Sequence, residues 1–239
     1  MSNYGKLYIV STPIGNLEDI TLRALRILKE VDIIVCEDTR RTQILLNHYN
    51  IKKPLLSYYS YNEIKRIKTI FNILQEGKNI ALVSDSGTPG ISDPGAVLIK
   101  KAIESGYTVE SIPGPSAFVS ALVCSGLATN GFVFLGFLPR KENKIKKIIS
   151  ESMKLGKTII FYESPYRIKK TVELCRNIFG NNAQCVIARE ITKKFEEYIR
   201  GKLDEIYQTI SQNNIKGELV VMIEPSRDKA LKEENYGRE

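Results

Sequence analysis

Residues 80–95, Ile-Ala-Leu-Val-Ser-Asp-Ser-Gly-Thr-Pro-Gly-Ile-Ser-Asp-Pro-Gly, constrain the fold more tightly than any other stretch. Ile80 to Val83 is a short apolar run of the kind buried on both faces of a parallel sheet, and so predicts a central strand. It breaks at Ser84-Asp85 into a segment holding Gly87, Pro89, Gly90, Pro94 and Gly95. Such a segment suits neither helix nor strand, but it can present backbone groups at close range. Asp93-Pro94 reads as a helix N-cap followed by proline at the first helical position. Strand, polar loop and helix together form one unit of an α/β sheet, and such sheets bind ligands outside the carboxyl ends of their strands. Asp85 stands at that point, where it can meet a ligand, close the loop as an Asx-turn, or do both.

The remaining alternation agrees. Leu7–Val10 and Ile33–Cys36 read as strands, each running into a polar group: Ser11–Asn16 after the first, Glu37-Asp38-Thr39-Arg40-Arg41-Thr42 after the second. Asn16 and Asp19 suit a helix start. Glu63–Glu76 is amphipathic, with Ile64, Ile67, Ile70, Phe71 and Leu74 on one face and Gly77 as its stop. Tyr107–Ile112 is a further strand, and Pro113-Gly114-Pro115-Ser116-Ala117 is the best junction between two domains, 1–114 and 115–225. Beyond it come a helix over Ala117–Ser125, an aromatic strand over Phe132–Phe137 and a basic helix start over Arg140–Lys147. Strands over Thr158–Tyr162, Cys185–Ala188 and Glu218–Ile223 complete the pattern, with Ser164-Pro165 capping a helix that stops near Gly180. The alternation up to Ile112 is the signature of a wound, largely parallel sheet. From Ser226 to Glu239 the composition is charged, and a disordered tail is expected.

Composition narrows the function. No stretch approaches the roughly 18–20 apolar residues that cross a membrane, and Met1–Gly5 lacks a signal-peptide pattern, so the cytoplasm is the expected compartment. Cys36, Cys124, Cys175 and Cys185 form no C-x-x-C pair and read as reduced core residues. His48 is the only histidine, which excludes a histidine-rich zinc site; no metal is expected. The net charge of +8 points to a polyanionic partner, RNA or DNA before a membrane, although many of the lysines also suit solvated helix faces. The loops lack both the Walker pattern and G-x-G-x-x-G. The residues by themselves reach a two-domain α/β protein with a ligand cleft and a polyanionic partner.

Taken in order from about residue 6 to 224, several blocks resemble the tetrapyrrole methylase superfamily, whose members use S-adenosylmethionine (SAM). They are Leu7–Leu17, Glu37-Asp38-Thr39-Arg40, Val83–Pro89, Pro113–Ala117 and Phe161-Tyr162-Glu163-Ser164, with Arg189-Glu190-Ile191-Thr192-Lys193 as a further match. Within the superfamily they are similar to the branch that methylates the 2′-oxygen of a cytidine in small-subunit (16S) ribosomal RNA. Members often carry an extra C-terminal segment, whereas this chain ends soon after Ile223.

The resemblance implies a two-domain class III SAM methyltransferase fold with the cofactor in the interdomain cleft, a homodimer, and ribosomal RNA or the assembled small subunit as partner. It implies cofactor contacts at Pro13, Ile14, Asp85, Gly87, Thr88, Ser116, Ala117, Tyr162, Ala188 and Gly217. With one histidine in the chain, a base for the 2′-hydroxyl must be a carboxylate, a lysine or solvent. Glu37, Asp38, Arg40 and Lys193 are the catalytic candidates, each of which could equally be a cap or an ion-pair partner. Two alternatives stand beside this reading: a methylase acting on a tetrapyrrole precursor or a diphthine-type protein substrate, and a non-catalytic RNA-binding module, which no RRM or KH signature supports.

Overall fold

The computed structural model describes residues 4–59 and 63–225. Its contacts divide the chain into two compact units, Met1–Ser116 and Ala117–Glu239. The first unit runs β1 (Leu7–Val10), a 3-10 turn (Leu17–Asp19), α1 (Leu22–Glu30), β2 (Ile33–Cys36) and α2 (Thr39–His48). It continues through β3 (Leu55–Ser57), α3 (Glu63–Gln75), β4 (Ile80–Val83), α4 (Ala96–Glu104) and β5 (Val109–Ile112). Every strand pairing is parallel, in the order β3-β2-β4-β1-β5. β4 is central and all four of its residues are buried, as its unbroken apolar run requires.

Side chains alternate across this sheet. Val10, Ile34, Cys36, Ala81 and Val83 pack with Ala24, Ile27 and Leu28 of α1 and with Leu45 and Leu46 of α2. Leu7, Ile9, Val35, Ile80 and Leu82 pack with Ile67, Ile70 and Leu74 of α3 and with Leu98 and Ala102 of α4. The period of two along each strand therefore builds a separate core on each face. From β1 the chain moves through β2 to the β3 edge; from β4 it crosses to β5 at the other. The neighbours β1 and β4 thus send their connections in opposite directions, which makes the gap beyond their carboxyl ends the topological switch point.

The second unit contains α5 (Ala117–Val123), β6 (Phe132–Phe137), α6 (Glu142–Met153), β7 (Thr158–Glu163) and α7 (Ile168–Phe179). β8 (Gln184–Arg189), β9 (Glu197–Lys202), α8 (Leu203–Gln212) and β10 (Leu219–Glu224) follow. The order is β6-β7-β10-β8-β9, and this sheet, unlike the all-parallel first one, is mixed. Only β6 and β7 run parallel, and the other pairings are antiparallel. The reason lies in the connections: β8 and β9 are joined by a short loop, which can link only antiparallel neighbours.

Several local expectations also change. The first helix starts at Leu22 under a Thr21 cap, after a separate 3-10 turn capped by Asn16. Asp93-Pro94 does not cap α4; Gly95 does, at φ +136°, and Asp93 is left half-buried in the loop. α7 begins at Ile168 rather than at Ser164-Pro165, because Ser164 caps the preceding turn by accepting the Tyr166 N–H at 3.2 Å. Ile64 is exposed rather than part of the apolar face of α3, and Cys124 is exposed while the other three cysteines are buried. The expected tail over 226–239 lies outside the described residues.

Candidate active site

The switch point is built by a strap between the loops that follow β1 and β4. Thr12 N–H donates to Gly87 O at 2.9 Å and Gly87 N–H to Thr12 O at 3.1 Å, a two-residue antiparallel bridge. Thr12 Oγ1 donates to Ser84 O at 3.0 Å, and the Ser11 and Thr88 hydroxyls meet at 2.9 Å. Both loops are thereby held with their polar groups satisfied, as buried backbone requires. Gly87 has φ +79°, and a Cβ there would sit 3.5 Å from Ile14 Cγ2 and 3.8 Å from Pro115 O. Ile14, Gly87, Thr88 and the 115–116 segment thus converge within the first unit. Pro13 lies half-buried beside them.

A cluster of carboxylates lies beside the strap. Asp85 Oδ1 accepts the Asp38 N–H at 3.1 Å, tying the loop after β4 to the start of α2, and Arg41 Nη1 stands 3.7 Å from Asp85 Oδ2. Asp38 caps α2 through the Arg40 N–H at 2.8 Å and takes the Arg40 guanidinium in a two-pronged pair of 3.0 and 2.7 Å. Those bonds hold the Asp38 carboxyl down at about 2. Arg40 therefore sits in the first turn of a helix, not in a loop, with its side chain well exposed. Burial pushes the Glu37 carboxyl up, aided by the charge of Asp85 and opposed by Arg41. Burial pushes Asp93 further, to about 6, with Glu37 and Asp85 adding to it and a hydrogen bond to Ser84 pulling the other way.

Asp93 and Arg41 are the members of this cluster that sequence reasoning missed. The loop block around Asp93 was visible, but a carboxylate before proline reads as a cap. Only the turn held by Gly90 at φ +82°, Ser92 at +64° and Gly95 at +136° leaves Asp93 beside Glu37 and Asp85 instead.

In the second unit, Tyr162 on β7 and Ala188 on β8 both pair with Val220 of β10, so they occupy one row across the sheet. Ala188 is fully buried. Gly217, at φ +93°, lies against Glu190, whose side chain would come within 2.5 Å of an added Cβ. Glu190 Oε1 accepts the Glu218 N–H at 2.9 Å and Lys193 Nζ at 3.0 Å, while Lys193 also binds Glu218 Oε2 at 3.0 Å. The Glu218 N–H is the main reason that Glu190 is pulled below its usual range. Burial works to lower Lys193, yet its bonds to Glu218 and Glu190 outweigh that and leave it raised. Lys193 is thus a firmly charged clamp on a turn in which Glu190 (φ +50°) and Thr192 (φ +65°) take conformations costly for non-glycine residues. Ala117 opens α5, directly after Ser116 in the chain.

Among the described residues, no group of three or more His, Cys, Asp or Glu could hold a metal ion, and no helix is long and apolar enough to cross a membrane.

The profile of the Tetrapyrrole (Corrin/Porphyrin) Methylases matches residues 6–207. A protein of Hydrogenobaculum sp. named ribosomal RNA small subunit methyltransferase I is 50% identical over 234 residues, covering 96% of this chain and 99% of that protein. The Bacillus subtilis protein of the same name is 44% identical over 233 residues, covering 98% of this chain and 80% of its own length. Among solved structures, uroporphyrin-III C-methyl transferase from Thermus thermophilus, complexed with S-adenyl homocysteine, superposes with a TM-score of 0.65 at 16% identity, covering 91% of this chain and 97% of that one. At that identity the likeness shows the fold. By profile and by identity alike, the chain belongs to the tetrapyrrole methylases, and within them to the ribosomal RNA small subunit methyltransferase I family.

Proposed function

We propose that this protein transfers a methyl group from SAM to the ribose 2′-oxygen of a cytidine in small-subunit ribosomal RNA. The observation that carries the substrate assignment is the 50% identity to a methyltransferase of that name over 99% of its length. The first unit fits the cofactor. Gly87 leaves a cradle between Ile14 and Pro115 that any larger side chain would fill, and the carboxylates of Glu37, Asp85 and Asp93 favour a cationic ligand.

When bound, SAM supplies an electrophilic methyl carbon, so the protein's part is alignment, exclusion of water and handling of the hydroxyl proton. In this reading Pro13, Ile14, Gly87, Thr88, Ser116 and Ala117 hold the cofactor, with Tyr162, Ala188 and Gly217 contributing from the second unit. Asp85 accepts hydrogen bonds from the cofactor's polar end while it anchors α2 through Asp38. Glu37 or Asp38 faces the ribose, and Arg40 grips phosphate, a pairing that suits a planar guanidinium. Lys193 keeps the Glu190–Glu218 turn in place and stays protonated. The protein acts in the cytoplasm as a homodimer, with the ribosomal RNA, free or in the small subunit, as its partner.

The test is transfer of labelled methyl from SAM to undermethylated small subunits or their RNA, followed by nuclease digestion to identify the product. 2′-O-Methylcytidine is the expected product. A labelled base, or transfer only to a tetrapyrrole or to a protein, would overturn the proposal. Calorimetry should show SAM binding without added metal, weakened by roughly 1.5–3 kcal/mol in Asp85→Ala, the range for a hydrogen bond to a charged group.

A further inference from the structure

The block Phe161-Tyr162-Glu163-Ser164 contains a buried carboxylate that the methyl-transfer reading does not use. Glu163 is 3% exposed at the end of β7. It accepts the Ser164 N–H at 2.7 Å and the Thr171 hydroxyl at 2.7 Å, and Arg167 Nε lies 3.5 Å away. A buried charge so fully partnered holds its neighbours rigidly. Arg167 in turn donates to Leu138 O at 3.2 Å and to Pro139 O at 2.8 Å. The corner between β6 and α6 is therefore pinned from beneath through Glu163 and Arg167.

This corner sets an exposed aromatic ring beside a run of cations. Phe137, its first residue, is 63% exposed, its ring resting 5.3 Å from that of Tyr162. Arg140, Lys141 and Lys144 follow, all exposed and with no acidic partner among the described residues. Lys141 occupies the N-cap of α6 without a side-chain cap bond, and Lys144 sits in the first turn. Cations there oppose the helix dipole and displace the Ser or Asp that would stabilise the end. The one acid of that first turn, Glu142, is taken by Lys146 at 2.8 Å and by Lys170 at 3.2 Å, and further along α6 Lys147 approaches Glu151 at 3.9 Å, as on an ordinary solvated helix face.

We infer that the β6–α6 corner is a docking surface for single-stranded RNA, on which Phe137 stacks against a base and Arg140, Lys141 and Lys144 contact phosphates. An exposed aromatic ring beside unpaired cations is the combination that binds single strands, because every base has a π-face and every nucleotide a charge. Pinning by Glu163 and Arg167 lowers the ordering cost of binding. The inference rests on the RNA substrate proposed above.

The experiment measures anisotropy of a fluorescein-labelled single-stranded RNA carrying the 16S target sequence, titrated with the full chain at several salt concentrations, beside SAM titrations of every variant. Phe137→Leu keeps an apolar side chain without a ring; it should weaken RNA binding about tenfold with an unchanged salt slope, and Phe137→Trp should restore it. Combined replacement of Arg140, Lys141 and Lys144 by Gln should reduce the slope of log affinity against log salt by about 2, three single-strand phosphate contacts' worth. Replacing Lys146 and Lys147 by Gln should leave the slope nearly as it was, and SAM affinity should hold throughout. If the wild-type chain binds RNA and the corner variants match it, the docking surface is refuted while the proposed activity stands. If the wild-type chain neither binds nor methylates RNA, both fall.

Discussion

Of the carboxylates gathered at the ends of β2 and β4, Asp93 is the one whose proton is linked to stability nearest neutrality. Its pKa rises from 3.8 to about 6 on folding, chiefly through burial. The folded state therefore binds this proton more tightly than the unfolded chain. Stability falls as pH climbs from about 4 to about 6, and the loss is complete above that window. Asp93→Asn should raise Tm at pH 7.5 by the equivalent of roughly 1–3 kcal/mol and change little at pH 4. An unchanged Tm at both pH values would mean that the charge is accommodated without cost. Arg40 poses the opposite case. Its guanidinium lies on the surface, held by Asp38 against the unfavourable dipole of α2. Arg40→Ala should lower the rate of RNA methylation while SAM affinity stays near wild type; equal rates would leave Arg40 a helix-end residue only.

At the scale of elements, the strap between the β1 and β4 loops depends on a backbone conformation as much as on hydrogen bonds. Gly87→Ala puts a Cβ on a residue at φ +79°, between Ile14 and Pro115. It should cost about 1 kcal/mol of stability through strain alone and weaken SAM binding by a larger factor, since the same Cβ enters the cradle. Thermal unfolding and calorimetry on one preparation separate the two effects, and a variant that loses stability without losing affinity would place the cofactor elsewhere. The elements that sequence reading passed over share a physical reason. β3 is only three residues long, and α2 opens with Thr-Arg-Arg-Thr and then shows the apolar run Ile44-Leu45-Leu46, so its period of Thr42, Leu45 and Leu46 is hidden by a polar Thr42 and an exposed Ile44. β9 alternates weakly because it is an edge strand with little burial. α8 was passed over too, although its spacing of Leu203, Ile206 and Ile210, each buried, is a helical period that the sequence does carry.

For the whole molecule, each unit has a core of its own: one layer on each face of the first sheet, and a single cluster running from Leu138 to Ile223 in the second. A fragment ending at Ser116 should therefore fold alone and unfold cooperatively in denaturant, as a domain with its own core does; a fragment lacking a cooperative transition would show that the first unit needs the second. The sequence by itself determined the α/β class, the central place of Ile80–Val83, the polar loops at Ser11–Asn16 and Ser84–Asp93, and the family. These are local matters: a short apolar run such as Ile80–Val83 suits a strand buried on both faces, and Gly- and Pro-rich segments suit loops. Tertiary structure alone decided which carboxylates meet, since Asp38 and Asp85 are 47 positions apart and joined by a register that no local pattern encodes. It also decided that Asp93 turns inward rather than capping α4, and that the second sheet is mainly antiparallel. Pairing partners and the burial of a given charge depend on contacts distant in the chain, and these are what a sequence read locally does not contain.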